Sequence, residues 1–199
     1  MGMTAPRRPV ALVPVGPDQN GIFEALTQDT DTMFRARYRG SALTLPPPSP
    51  ADTWGGIYLH YAVVSRLNGR PLGVVTAYGA DLRAGHVYLA ALALPRWQRT
   101  GLVAIGTGML LHRLLTREPF HKVYLDVAGY NLSQLTGTLE KVFRLEARLP
   151  GCFYFDGQQW DRLIYGVTRD EYATSPWFAD VEELDTVDDL RLHEPVARG

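Results

Sequence analysis

Cysteine is almost absent from this 199-residue chain: Cys152 stands alone. A single thiol cannot close an intrachain disulfide, and it excludes thiolate zinc clusters and CxxC redox pairs. Long apolar runs are also missing, since every stretch of about 18 residues is interrupted by a charge or a proline, which excludes a membrane-spanning helix. The basic start, Arg7-Arg8, is followed by Pro9, Pro14 and Pro17, too broken for a signal peptide, and Pro6 stands where N-myristoylation wants Ser or Thr. The expectation is a soluble, cytoplasmic chain that has no membrane partner and needs no metal.

Net charge is scarce as well, −1 over the chain, but unevenly spread. From Asp170 to Gly199 nine acids face two arginines, net −7, which leaves residues 1–169 with 18 basic against 12 acidic side chains, net +6. A basic body suits an anionic ligand. The basic residues do not interleave with aromatics in one stripe and the acidic tail repels phosphate, so nucleic acid is not the expected partner. With 46% apolar residues, the length suits one domain, taken as 1–172, followed by a solvated tail over 173–199.

Periodicity orders the chain. Val10 to Val15 reads as a strand, Pro17 to Leu26 as a helix, and Leu45-Pro46-Pro47-Pro48-Ser49-Pro50 as an extended loop. Tyr58–Arg66 and Leu72–Tyr78 flank the Asn68-Gly69 turn, and His86–Leu94 adds a third strand. Leu102, Ile105, Met109, Leu110 and Leu114 recur at helical spacing. Val123–Val127 is a strand, Asn131 caps a helix running to about Val142, and Cys152–Phe155 with Asp161–Val167 form a closing hairpin. The order implies an α/β sandwich: a mixed, mostly antiparallel sheet with helices on both faces.

Chemistry concentrates in Leu92-Ala93-Leu94-Pro95-Arg96-Trp97-Gln98-Arg99-Thr100-Gly101-Leu102-Val103, where a strand ends in a basic, glycine-containing turn that opens a helix. Helix N-termini expose N–H groups and carry about half a positive charge, so a phosphate fits there. Gly101 admits close approach, Thr100 adds a hydroxyl and Arg99 a charge. An ordinary strand-to-helix connection would use the same residues.

The segment resembles the diphosphate loop of the GNAT superfamily of acyl-CoA-dependent N-acyltransferases, Gln/Arg-x-x-Gly-x-Gly/Ala, with Gln98, Gly101 and Val103 at its three positions. Asn131 after a strand, the Phe143-Arg144-Leu145-Glu146-Ala147-x-Leu149 stretch and the Phe155-Asp156-Gly157-Gln158-Gln159-Trp160-Asp161 hairpin extend the resemblance over about residues 10–172. The branch it is most similar to includes N-terminal acetyltransferases of ribosomal proteins and small-molecule acetyltransferases.

The resemblance implies acetyl-CoA as donor, and a primary amine of a small molecule or a protein N-terminus as acceptor. It implies that Leu92, Ala93 and Leu94 bind the pantetheine arm by backbone, that Gln98, Arg99, Thr100, Gly101, Leu102 and Val103 hold the diphosphate, and that Asn131 reaches the arm from the far side. A homodimer is common among such proteins. The tyrosine acid of many relatives has no counterpart in residues 131–143; the ribosomal-protein branch has a serine three residues after the Asn, where this chain has Gln134, so the resemblance implies Ser133, one residue earlier, as candidate acid. Relatives often carry a carboxylate base on the strand before the loop, where this chain offers only His86 and Tyr88 as titratable side chains, and His86 is the candidate base. Asp126, Trp54 and Tyr58 are acceptor-site candidates, with a paired carboxylate and core aromatics as the alternatives. The rival function is a catalytically inactive acyl-CoA-binding regulatory module.

Overall fold

The structure is a computed structural model and describes residues 9–15, 56–134 and 139–175. Strands β1 (Val10–Pro14), β2 (Ile57–Ser65), β3 (Pro71–Asp81) and β4 (His86–Ala93) pair antiparallel in sequence order. Helix α1 (Leu102–Thr116) then crosses over to β5 (Lys122–Ala128), which lies parallel to β4. After a 3-10 turn (Gly129–Gln134) and one helical turn, α2 (Leu139–Val142), the chain forms the hairpin β6 (Arg144–Phe155) and β7 (Gln158–Thr168), and ends its described part in α3 (Arg169–Ala173). Sheet order is β1-β2-β3-β4-β5-β7-β6.

Turn chemistry sets the hairpins. Gly69 takes φ 67° between β2 and β3, with the Asn68 side chain accepting from the Arg70 N–H at 3.1 Å. Asp156 and Gly157 both adopt positive φ, 51° and 75°, as a two-residue hairpin with right-handed strand twist requires. The core lies between α1 and one face of the sheet: Leu110, Leu111, Leu114 and Leu115 pack on Val63, Val75, Val87, Leu89 and Val123, all buried. On the opposite face Val74 and Leu94 form a smaller apolar cluster with Leu92 and Trp97. A capping box of Thr168 and Glu171 starts α3 and delivers Tyr172 to the buried His112 of α1, Nδ1 to hydroxyl 3.2 Å.

The mixed, mostly antiparallel sheet is the expected one, and the strands of the first half agree with expectation to within a residue or two except at the end of β3. The helix expected over 17–26, the 45–50 loop, Trp54 and the tail beyond 175 lie outside the described residues. Three expectations are corrected. Asn131 sits inside the 3-10 turn Gly129–Gln134 and not at a helix N-cap; the described helix before β6 is Leu139–Val142, and residues 135–138 lie outside the described residues. Strand β6 starts at Arg144, not Cys152, because an edge strand tolerates Pro150 where its ladder shifts register, between Leu149 and Phe153. Cys152, which the apolar Cys152–Phe155 run leads one to expect on a buried strand, is exposed, since β6 is the outermost strand.

Gly106 lets α1 settle on the sheet: a Cβ there would lie 2.7 Å from Val63 Cγ2 and 3.3 Å from Leu12 Cδ2. Gly106→Ala should destabilise the protein by about 1–2 kcal/mol in urea titration, overpacking outweighing the roughly 1 kcal/mol helix-propensity gain. On the other face His60 of β2 places Nδ1 2.7 Å from Oγ1 of the buried Thr76, and burial lowers its imidazole to about 4. An unfolded histidine takes its proton near pH 6.5. The fold therefore has this stability in full above about pH 6.5 and loses it as pH falls through about 4, a loss of about 2 kcal/mol after solvent screening. Chemical denaturation of wild type and His60→Gln between pH 7 and 4 should show the slope in the former and its reduction in the latter.

Candidate active site

The parallel ladder between β4 and β5 is short. Its partners are His86↔Lys122, Val87↔Val123 and Tyr88↔Tyr124, and there it stops, although β4 runs on to Ala93 beside β3 and β5 to Ala128 beside β7. The sheet forks after Tyr88 and Tyr124. In an antiparallel ladder successive residues alternate their N–H and C=O groups between the two neighbours. Leu94 donates its N–H to the Leu72 carbonyl across β3, and its own carbonyl accepts from Trp97. Leu92 shares that phase, so Leu89, Ala91 and Ala93 turn their backbone groups toward the fork. Of the three residues implied to bind by backbone, Ala93 has the required phase; Leu92 and Leu94 instead line the fork's lip through their side chains beside Trp97.

Two structures flank the mouth. On the β4 side the chain makes a 3-10 turn (Pro95–Trp97) and then passes through Arg99 at φ 61° and Gly101 at φ 76° into α1. A non-glycine residue in the left-handed region is uncommon and costs of order 1 kcal/mol, a conformation that concentrates at ligand sites. The first intrahelical bond runs from Ile105 N–H to Gly101 C=O, so the Val103 and Ala104 amides have no carbonyl one turn behind them and point out of the helix end. Val103 turns its side chain into the core, which explains how a residue larger than glycine or alanine is accommodated there without covering its amide. Thr100 spends its hydroxyl on the turn itself, donating to the Trp97 carbonyl at 2.7 Å. Gln98 is half-buried and closes the 3-10 turn with its amide on the Pro95 carbonyl, 3.3 Å.

A diphosphate fits this loop on two observations. A Cβ at Gly101 would meet nothing within 4 Å among the described residues, so none of these covers the loop's surface. The Trp97 indole N–H of the same segment is buried with no hydrogen-bond partner among the described residues. On the β5 side the 3-10 turn holds Asn131, half-buried, and Ser133, exposed, across the mouth from the loop.

Beyond the fork's deep end, on the face away from α1, lie the titratable side chains. Tyr78, Tyr88 and Tyr124 stack across β3, β4 and β5 with centroids 5.5 and 5.4 Å apart. His86 sits edge-on to Tyr88 and Tyr124 on the closed side, so these rings stand between it and the fork. Asp126 is the next β5 residue on this face toward the mouth, its side chain only 7% exposed and held by both Arg162 nitrogens at 3.0 and 2.7 Å. The Asp126 bonds raise the guanidinium above its ordinary range despite desolvation, with the nearby Tyr88 hydroxyl and Cys152 thiol adding smaller effects. Asp126 is thus a paired carboxylate at the site's edge. Tyr58 is elsewhere: on β2 it donates to Glu118 Oε2 at 2.9 Å and packs edge-on to Phe120.

The fork with its mouth and the tyrosine stack at its end form one site. Sequence reading picked out the loop and noted Tyr88 but preferred His86 on that strand, and it missed Tyr124 and Arg162. The only trace those two left was their alternation along β5 and β7 on a face that contains no long apolar stripe.

No family model and no curated protein sequence matches this chain. Solved structures do. Spermidine N-acetyltransferase from Vibrio cholerae, in complex with CoA and spermine, superposes with a TM-score of 0.69 at 16% identity over 83% of this chain and 99% of that one. A GCN5-related N-acetyltransferase from Brucella melitensis gives 0.64 at 15% identity over 88% and 82%. This chain therefore has the fold of the GCN5-related N-acetyltransferases.

Proposed function

We propose that this protein is an acyl-CoA-dependent N-acetyltransferase that moves the acetyl group of acetyl-CoA directly to a primary amine, without a covalent enzyme intermediate. The observation that carries the reading is the fork: a sheet opened along the outer halves of β4 and β5, with an open helix N-terminus at its mouth. The Gly101, Val103 and Ala104 amides and the Arg99 guanidinium are the groups that would hold a diphosphate. Ala91 and Ala93 offer alternate N–H and C=O groups to the amides of a pantetheine arm, which would lie in the fork as a missing strand does. Asn131 stands on the opposite lip. A thioester bound there supplies an activated acyl carbon, and a backbone N–H of the Leu89–Ala91–Ala93 phase is the donor placed to stabilise charge on its carbonyl oxygen.

The acceptor would approach from the face opposite α1, where the tyrosine stack and the Asp126–Arg162 pair lie. A small-molecule or peptide amine fits that open face. The Vibrio neighbour, described with spermine, puts polyamines first among the candidates to try. Ser133 lies at the mouth and His86 behind the tyrosines, so neither is assigned the proton transfer.

Two measurements test the reading. Calorimetric titration should show acetyl-CoA binding, and thiol release should rise with one class in a panel of polyamines, amino acids and short peptides. Binding without release would favour the inactive acyl-CoA-binding module, and absence of binding would refute the site. Gly101→Val forces a β-branched residue into φ 76° and projects its side chain over the loop amides. It should weaken acetyl-CoA binding at least about tenfold, roughly 1.4 kcal/mol, with the unfolding transition still cooperative.

A further inference from the structure

We propose that Tyr88, at the deep end of the fork beside the Asp126–Arg162 pair, is the residue that delivers and recovers the proton of the acyl transfer. The inference rests on the acetyltransferase reading and adds the proton donor that the chain lacks over residues 131–143, where no tyrosine stands.

Placement comes first. Tyr88 is the last β4 residue paired with β5, and the next residue, Leu89, is the first to turn its backbone groups into the opening. An arm anchored at the Gly101 loop and running down the fork past Ala93 and Ala91 ends at Leu89 after about 13 Å of strand. Its reactive end therefore stops beside the Tyr88 side chain, which rises on the acceptor face.

Chemistry separates Tyr88 from its neighbours. The Tyr124 ring has the Lys122 ammonium 5.0 Å from its centroid, and that lysine is paired with Glu146 at 2.8 Å. The Tyr88 hydroxyl makes no hydrogen bond among the described residues, and its ring is half-buried between those of Tyr78 and Tyr124. The ring is thus fixed by packing while the hydroxyl is available. Its surroundings are Tyr78 from β3, His86 from its own strand, Lys122, Tyr124 and Asp126 from β5, and Arg162 from β7. Arg162, anchored by both Asp126 oxygens, is the cation placed to stabilise a transient phenolate.

The step balances. As the acceptor nitrogen forms the new C–N bond and the C–S bond breaks, its electron pair leaves with sulfur. Tyr88 gives its hydroxyl proton to that sulfur, producing the free thiol and a phenolate. The acylated nitrogen then loses its surplus proton to the phenolate, directly or through water, which restores the phenol and leaves a neutral amide. No other reactant is consumed.

Tyr88→Phe keeps the ring stack and removes only the hydroxyl. With the acceptor found in the panel, kcat should fall about a hundredfold, while acetyl-CoA affinity by calorimetry stays within about twofold. Tyr154→Phe, at an exposed tyrosine of the outermost strand β6, should keep kcat within about threefold of wild type. Independently of turnover, N-acetylimidazole should acylate the Tyr88 phenol of the free protein, read by peptide mass spectrometry, and coenzyme A should protect it. An active wild type with unchanged kcat in Tyr88→Phe, an equal loss in Tyr154→Phe, or absence of protection would each overturn this inference alone. Failure of the wild type to bind acetyl-CoA would overturn it together with the acetyltransferase reading.

Discussion

Backbone amides and carbonyls inside a sheet need partners, and the fork is where this chain leaves them without strand partners on one side. Beyond Tyr88 and Tyr124, β4 satisfies itself only against β3 and β5 only against β7. The outer half of β4 then behaves as an internal edge, a template for an extended ligand that carries amides of its own. The rest of the site follows from that opening. Helix α1, which must cross from the end of β4 to the start of β5, begins at the mouth and presents its N-terminus there. The turn after β5 supplies the other lip, and the tyrosines stand where the two strands part.

Close approach elsewhere keeps the fork in register. Gly73 of β3 lies against the Leu92 carbonyl and Ala93 so tightly that a Cβ would collide with backbone, and it holds the free-phase end of β4 against β3. Gly106 does the same for α1 over Val63. Charge is handled locally: along β5, β7 and β6, Lys122 pairs with Glu146, Arg162 with Asp126, Arg148 with Asp161, and Arg144 with the α3 residue Glu171. The exposed ones among them add little stability singly, and all four leave their side chains mutually neutralised.

Much of the fold was legible in the sequence because its signals are local. Asn68-Gly69 and Asp156-Gly157 fix hairpins, and the leucine spacing of α1 matches the stripe it buries. The Gly101 turn was legible for the same reason: glycine and basic residues precede a helical period. What escaped depends on register between strands distant in sequence. Whether Leu92 or Ala93 faces the fork is decided by the bond from Leu94 to Leu72, some twenty residues away, and nothing in either segment states it. Asp126 and Arg162 meet across β5 and β7, 36 positions apart, so a carboxylate that looked available for an amine is already occupied. The exposure of β6 likewise follows from its place in the strand order and not from its composition.

The brevity of the β4–β5 ladder has a mechanical consequence. The strands β1 to β4 form one antiparallel sheet of neighbours in sequence, and β5, β7 and β6 form another, joined by three ladder pairs and the α1 crossover. Among the described residues few backbone bonds cross this seam to resist a change of angle, whereas longer ladders run on either side of it. A guest lodged in the fork would stitch the two halves together, so that occupancy is felt as stiffness across the whole sheet and release as a loosening along one line.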